Sequence, residues 1–199
     1  MAKRESNFVN MVITLAAVTV VASFTLATVY NLTMEPIAAA REAKRQAAIG
    51  QVVPEFDSLE SRRFLSSCGT DSLEFNFAYF NDELVGVAVG TFTNFGFSGL
   101  ITAMVGFEPD GTIIDVVHLQ HKETPGLGDK IQKNVSDWSN QFRGMRPSQV
   151  KFKVAKDGGD VDGITAATIT ARAYVDAIQR AYDTFMQNSI TQEGDNDNE

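Results

Sequence analysis

From Phe8 to Tyr30 the chain carries no charged residue, and most positions are Val, Ala, Leu, Ile, Phe or Met. About 20 apolar residues in a helix cross the hydrocarbon core of a bilayer, so this run predicts a transmembrane helix over 8–30. From Asn31 to Gly50 the text changes to alanine interspersed with Arg41, Glu42, Lys44 and Arg45. It predicts a linker helix over 31–54, with Thr33 capping its start and Pro36 tolerated in its first turn. Its charges read as a solvated face, with lipid headgroups as the other role open to them.

The period then shortens. Leu73, Phe75, Phe77 and Tyr79 alternate with Glu74, Asn76 and Ala78, the pattern of a half-buried strand. Asn81-Asp82-Glu83 predicts a turn, Leu84 to Phe92 a returning strand, and Asn94 to Gly99 a glycine-bearing loop. Leu100 to Phe107 is a further strand, joined through Pro109-Asp110-Gly111 to Thr112–Leu119. Connections this short predict an antiparallel sheet. After a Pro/Gly loop over 121–128, Asp129 can cap a helix on which Ile131, Val135, Trp138 and Phe142 form one apolar stripe ended by Gly144. Val150–Val154 predicts a short strand and Asp157–Asp160 a loop. A last helix runs from about Thr168 to Asn188, with Ile169, Ala173, Ala177, Ile178, Ala181 and Phe185 inward. The fold class is α+β, an antiparallel sheet with flanking helices behind one membrane anchor. Residues 1–7 make a stub, 55–188 the folded domain, and 189–199 an acidic tail expected to be disordered.

Charge and composition narrow the chemistry. A chain of 199 residues has room for one domain and an anchor. Its net charge of −8 argues against nucleic acid, whose phosphates reward clustered Lys and Arg. The single cysteine, Cys68, excludes an internal disulfide and iron–sulfur ligation from this chain alone; it reads as a small buried residue or a bystander. Any electron traffic therefore calls for an organic cofactor. Lys3 and Arg4 place the N-terminus in the cytoplasm and the domain outside it. The rival to an anchor is a cleaved signal peptide, whose apolar core is usually about 7–15 residues, shorter than this run.

The segment with most chemical content is Asp162-Gly163-Ile164-Thr165-Ala166-Ala167-Thr168. Small residues let a ligand approach the backbone, and the helix start beyond offers unpaired N–H groups and a favourable dipole for phosphate. The plainer alternative is that Thr165 or Thr168 only caps the helix. Similarly, Glu123 to Gly128 can be an ordinary tight turn. His118, His121 and Glu123 lack a fourth ligand nearby, so no metal site is expected. Trp138 fits core packing better than ligand stacking. No Ser-His-Asp pattern or P-loop is visible, and no catalytic residue is assigned.

Taken together, Gly96-Phe97-Ser98-Gly99, Val105-Gly106-Phe107, the Glu123-Thr124-Pro125-Gly126-Leu127-Gly128 loop, Trp138, Phe142 and the Asp162–Thr168 motif resemble the FMN-binding domain family. Within it the chain is similar to the G subunits of Rnf electron-transport complexes, with the C subunits of the sodium-pumping NADH:quinone reductase as near neighbours. The resemblance implies FMN joined by a phosphodiester to Thr168, attached by a separate flavin transferase that consumes FAD. It implies that Glu123, Thr124, Gly126, Leu127 and Gly128 border the flavin and that Thr165, Ala166 and Ala167 lie by the phosphate. Lys122 is either solvated or set to stabilise a reduced, anionic flavin. The implied partners are the membrane and peripheral subunits of an Rnf-type complex and membrane lipid; the implied place is the cell inner membrane, with the domain periplasmic. The implied work is electron relay in a complex coupling ferredoxin and NAD to ion movement. The alternatives are a quinone-reductase C subunit and an assembly module without flavin. Ala166 departs from the family pattern, which usually has glycine there. If that position needs a positive φ, alanine costs about 1 kcal/mol; if it needs only smallness, alanine suffices.

Overall fold

The structure, a computed structural model, describes residues 7–67, 69 and 71–196. The expectations for residues 1–6, for Cys68 and for residues 197–199 lie outside them. The chain divides into two compact units, Met1–Lys44 and Arg45–Glu199.

The first unit is the apolar part of helix α1, which spans Phe8–Val52. Its side chains from Phe8 to Leu32 are exposed, as a helix solvated by lipid would have them. The hydroxyls of Thr14, Thr19, Thr25 and Thr28 each donate to the carbonyl four residues back, at 2.7–2.8 Å. These four hydroxyls are thereby not left unpaired in hydrocarbon. By length and composition the helix can cross a membrane. The expected break between a transmembrane and a linker helix is absent. Thr33 does not cap a helix start; it donates to the Val29 carbonyl at 2.8 Å, and Pro36 sits inside the helix. A proline removes one ladder bond, and strong helix formers on its C-terminal side carry the helix past it.

The second unit is built on a five-stranded antiparallel meander, in the spatial order of the chain. Its strands are β1 (Ser58–Leu65), β2 (Ser72–Phe80), β3 (Glu83–Gly96), β4 (Gly99–Phe107) and β5 (Ile113–Gln120). The β2–β3 turn has Asn81 and Asp82 at φ 53° and 64°, both left-handed, the type I′ arrangement that matches strand twist. The sequence pattern misses β1, because this edge strand is mostly exposed and reads Ser-Leu-Glu-Ser-Arg-Arg-Phe-Leu. One face of the sheet (Leu73, Phe75, Val87, Val89, Ile101, Val105) packs on helix α2, Thr168–Asn196. The other face (Ala78, Ala88, Met104) is covered by Ala48, Ile49 and Val52, the last turns of α1. Asn76 and Ala78 are therefore buried, and β2 is not the half-exposed strand its alternation predicts.

Three further elements differ from expectation. The helix predicted after Asp129 is instead a pair of short 3-10 helices, Gly128–Ile131 and Asp137–Phe142. Extended Ser136 separates them and accepts from the Trp138 amide, so a new cap restarts the chain midway along the apparent stripe. Ile131 and Phe142 are buried, while Val135 is exposed. Val150–Val154 is not a strand; Val154 makes only an isolated parallel bridge to Val161. Finally, α2 runs past the expected end at Asn188, to Asn196.

Asp115 on β5 fastens the 3-10 segment to the sheet. It is 6% exposed and pairs with Lys133 and with Arg143, the latter at 2.8 Å. Burial pushes its carboxyl upward, but hydrogen bonds from Arg143, Lys133 and the Val116 amide outweigh that and hold it below the usual carboxylate range. A depressed carboxylate stabilises the fold above its unfolded value of about 3.9 and loses that contribution as pH falls through the lower folded value. Asp115→Asn is expected to cost about 1–3 kcal/mol at neutral pH and to flatten the acid limb of stability, as measured by urea unfolding across a pH series from neutral to acid. Gly106 meets α1 so closely that an added Cβ would lie 1.7 Å from the Val52 carbonyl oxygen. Gly106→Ala should therefore destabilise the domain by about 3 kcal/mol or more in the same assay, since backbone must move.

Candidate flavin site

Two loops and a hairpin tip converge at the N-terminus of α2. In the first loop Pro125 and Gly126 (φ 78°) occupy the central positions of a turn closed by Leu127 N–H donating to the Thr124 carbonyl at 3.2 Å. Proline followed by a left-handed glycine is the type II signature. The same carbonyl accepts from Gly128 at 3.1 Å, which tightens the loop. In the second loop Ala167 N–H donates to the Ile164 carbonyl at 3.0 Å, with Thr165 and Ala166 between them. Ala166 has φ 62°, so this turn too places a left-handed residue third, here without a glycine. Upstream, Asp162 is pinned by its backbone: Trp138 Nε1 donates to its carbonyl at 2.8 Å, and its N–H donates to Gln141 Oε1 at 2.7 Å.

Helix α2 begins without a side-chain cap. The Ala167 carbonyl accepts the first helical bond, from Ala171 at 3.0 Å, and an alanine in the cap position offers no side-chain acceptor. The first-turn N–H groups of Thr168, Ile169 and Thr170 thus lack intrahelical partners at a positive dipole end.

Between these pieces lies a cavity of about 310 Å³ bordered by Phe97, Glu123, Thr124, Leu127, Gly128 and residues Ala166 to Thr170. That is the lower end of the range for small-molecule sites. Its mouth is apolar and exposed: Phe97, Leu127 and Ile169 are 67%, 40% and 49% accessible. Thr168 is half-buried. Glu123 is the one charged residue of the lining and is 5% exposed. Its Oε1 accepts from the Ser98 amide at 2.9 Å and its Oε2 from the Thr170 hydroxyl at 2.5 Å. Its own amide donates to His121 Nδ1 at 3.1 Å. Gly96 and Gly128 make room for it, since a Cβ on either would come within 2.8 Å of the Glu123 side chain.

The structure thus brings Glu123, Thr124, Leu127, Gly128, Ala166, Ala167 and Thr168 to one cavity, and leaves Gly126 and Thr165 off its lining. Gly126 serves through its φ, and an added Cβ there would meet nothing within 4 Å. Sequence reasoning missed Phe97, Ile169 and Thr170 as lining residues. The helical period predicts an inward Ile169, which is instead exposed at the mouth, because periodicity does not tell a core position from a rim position in the first turn. Phe97 lies inside a Gly-Phe-Ser-Gly tip whose shape was legible and whose neighbour was not. Trp138 packs edge-on against Phe142 and Tyr174, at ring centroid distances of 5.3 and 5.7 Å, as the core reading expects. His118 and His121 stand 5.5 Å apart by ring centroid, and no cluster of metal-ligating residues occurs among the described residues.

The positive φ answers the question that Ala166 raised. A left-handed alanine costs about 1–2 kcal/mol relative to glycine, partly offset by the greater freedom of glycine in the unfolded chain. Ala166→Gly is expected to raise stability by up to about 1 kcal/mol in urea unfolding; a loss of stability there would contradict the left-handed turn.

Residues 96–183, which hold the hairpin tip, both loops and most of α2, match the FMN-binding domain family. The G subunit of the ion-translocating oxidoreductase complex of Vibrio atlanticus is 36% identical over 176 residues, 82% of this chain and 83% of that protein. Its counterpart from Erwinia tasmaniensis is 36% identical over 180 residues, covering 84% and 85% of the two chains. The Escherichia coli counterpart is 47% identical over 89 residues, 43% of each. The crystal structure of Shewanella oneidensis NqrC matches with a TM-score of 0.48 at 19% identity, over 71% of this chain and 73% of that one, too loosely to argue from. Identity sustained over four-fifths of both lengths settles the kinship: this chain belongs to the family of G subunits of ion-translocating oxidoreductase complexes.

Proposed function

We propose that this chain carries electrons through an FMN seated in the cavity and joined by its phosphate to the Thr168 hydroxyl, as a subunit of an Rnf-type complex. One observation carries the reading: the Glu123–Gly128 loop and Thr168, far apart in sequence, border the same cavity. The residues present suit the group. Phe97, Leu127 and Ile169 offer apolar surface for a flat ring system, and Thr124 offers polar contact. The uncapped N–H groups of the first α2 turn suit a phosphate. The cavity volume of about 310 Å³ suits part of the cofactor, with the remainder at the open mouth.

Thr168 is a tether in this scheme and takes no part in turnover. In attachment its hydroxyl oxygen bonds to the flavin-side phosphorus of FAD, the pyrophosphate bond breaks, AMP leaves and the hydroxyl proton is released. A flavin transferase supplies that step. When bound, FMN would supply electron transfer; the cavity lining would hold it and the bond to Thr168 would keep it from dissociating. We place α1 across the cell inner membrane, N-terminus in the cytoplasm and domain in the periplasm, beside the other subunits and lipid. Electrons would pass between carriers linked to ferredoxin and NAD.

A second reading, a tethered assembly module without flavin, draws on Ala166, a residue at odds with the glycine of the family pattern. Against it, Ala166 holds a left-handed φ of 62°, a conformation that the glycine of the family pattern would adopt without strain, so the backbone here is compatible with that pattern.

Full-length protein coexpressed with a flavin transferase should fluoresce under ultraviolet light on a denaturing gel and carry the FMN adduct in intact mass spectrometry. Thr168→Ala should lose both signals with its circular dichroism unchanged. A wild-type chain that emerges colourless and unmodified would sink the reading.

A further inference from the structure

We propose that Glu123, gripping Ser98 and Thr170, is a positioning residue that sets the Thr168 hydroxyl in place for flavin attachment. This rests on the tether at Thr168 proposed above. The carboxylate is 5% exposed and both of its oxygens are engaged, one by the Ser98 amide and one by the Thr170 hydroxyl. Thr170 is itself 1% exposed. It lies two residues beyond Thr168, in the same helical turn, so fixing Thr170 fixes the height and rotation of Thr168.

Two features make such a clamp necessary. Helix α2 starts at Thr168 with an alanine where a capping side chain would stand, and uncapped first turns fray. Immediately upstream, Ala166 holds a left-handed φ of 62°, a conformation that persists only where surrounding contacts over-determine it. The fraying end and the strained turn flank the hydroxyl that must be presented to another enzyme. The Thr170 hydroxyl bond is the side-chain tie from this turn to the rest of the site, and it ends on a residue whose backbone is held by His121. Gly96 and Gly128 are shaped around the same carboxylate: a Cβ at Gly96 would lie 2.8 Å from its Oε1, and one at Gly128 would lie 2.8 Å from its Oε2 and 2.9 Å from the Thr170 hydroxyl. Three segments of the chain, the hairpin tip, the 123–128 loop and the start of α2, are thus fitted to one carboxylate whose two oxygens are both already engaged.

Thr170→Val removes the hydroxyl and keeps the shape; Thr170→Ser restores the hydroxyl. Each full-length variant is exposed to flavin transferase and FAD for a limited time, and FMN incorporation is followed by fluorescence of the denatured band. Amide hydrogen exchange is measured on the same chains before exposure. Thr170→Val is expected to slow incorporation about tenfold or more, the scale set by small misplacements of a reacting group. Exchange should quicken in the first turn of α2 with the central strands unchanged, and Thr170→Ser should restore both readouts. Glu123→Gln should quicken exchange in the first turn of α2 as well. A wild-type incorporation rate in Thr170→Val overturns the proposal, as does a slowing that serine does not reverse. If the wild-type chain takes up no flavin, the tether reading has failed. Exchange alone then decides the clamp: quickening confined to the first turn sustains it, and unchanged exchange overturns it.

Discussion

One buried carboxylate joins the parts of this domain that must meet. Glu123 is reached by the amide of a hairpin tip and by the hydroxyl of a helix, and at two glycines a Cβ would collide with its side chain. A buried charged group left without partners is among the costliest faults a fold can carry, whereas one with both oxygens satisfied is tolerated and fixes its neighbours. The hairpin tip, the Pro125-Gly126 turn and the start of α2 therefore take their relative places from a polar contact, while the sheet behind them is held by apolar packing.

That sheet is covered on both sides. Helix α2 takes one face, and the last turns of α1 take the other, with Gly106 allowing the Val52 carbonyl to press against the strand. The unit that carries the cavity thus includes the end of the same helix whose earlier part is apolar enough to span a membrane. Asp115 adds a second polar fastening, tying the 3-10 segment with Trp138 and Gln141 to β5. Through Trp138 and Gln141 that segment holds Asp162, where the approach to Thr168 begins. Order at the start of α2 is inherited in steps, from sheet to 3-10 segment to loop to helix.

The apolar mouth of the cavity follows from the same arrangement. Phe97 and Ile169 are exposed because they stand at the tip of a hairpin and the end of a helix, where the core has run out. Exposed aromatic and branched side chains around a concave site are surface that a flat ligand covers.

Much of this was legible in the sequence. The uncharged run of 8–30, the alternation in β2, the turn signals that bound β3 to β5, and the stretch of α2 from Thr168 each follow from local rules of burial and backbone freedom. So did the two motifs that meet at the cavity, because a Pro-Gly turn and a small-residue helix start announce their own backbone shapes. What the sequence could not decide were features set by distant neighbours. β1 is a polar edge strand made a strand by its pairing with β2. The apparent helix after Asp129 yields to a cap at Ser136, and the alternation of β2 hides a second buried face supplied by α1. Whether position 166 needed smallness or a left-handed backbone, and that Thr170 would grip Glu123, depended on where separate segments come to rest. Periodicity and turn chemistry act within a few residues, whereas burial, close approach and a shared hydrogen bond exist only once the chain has closed on itself.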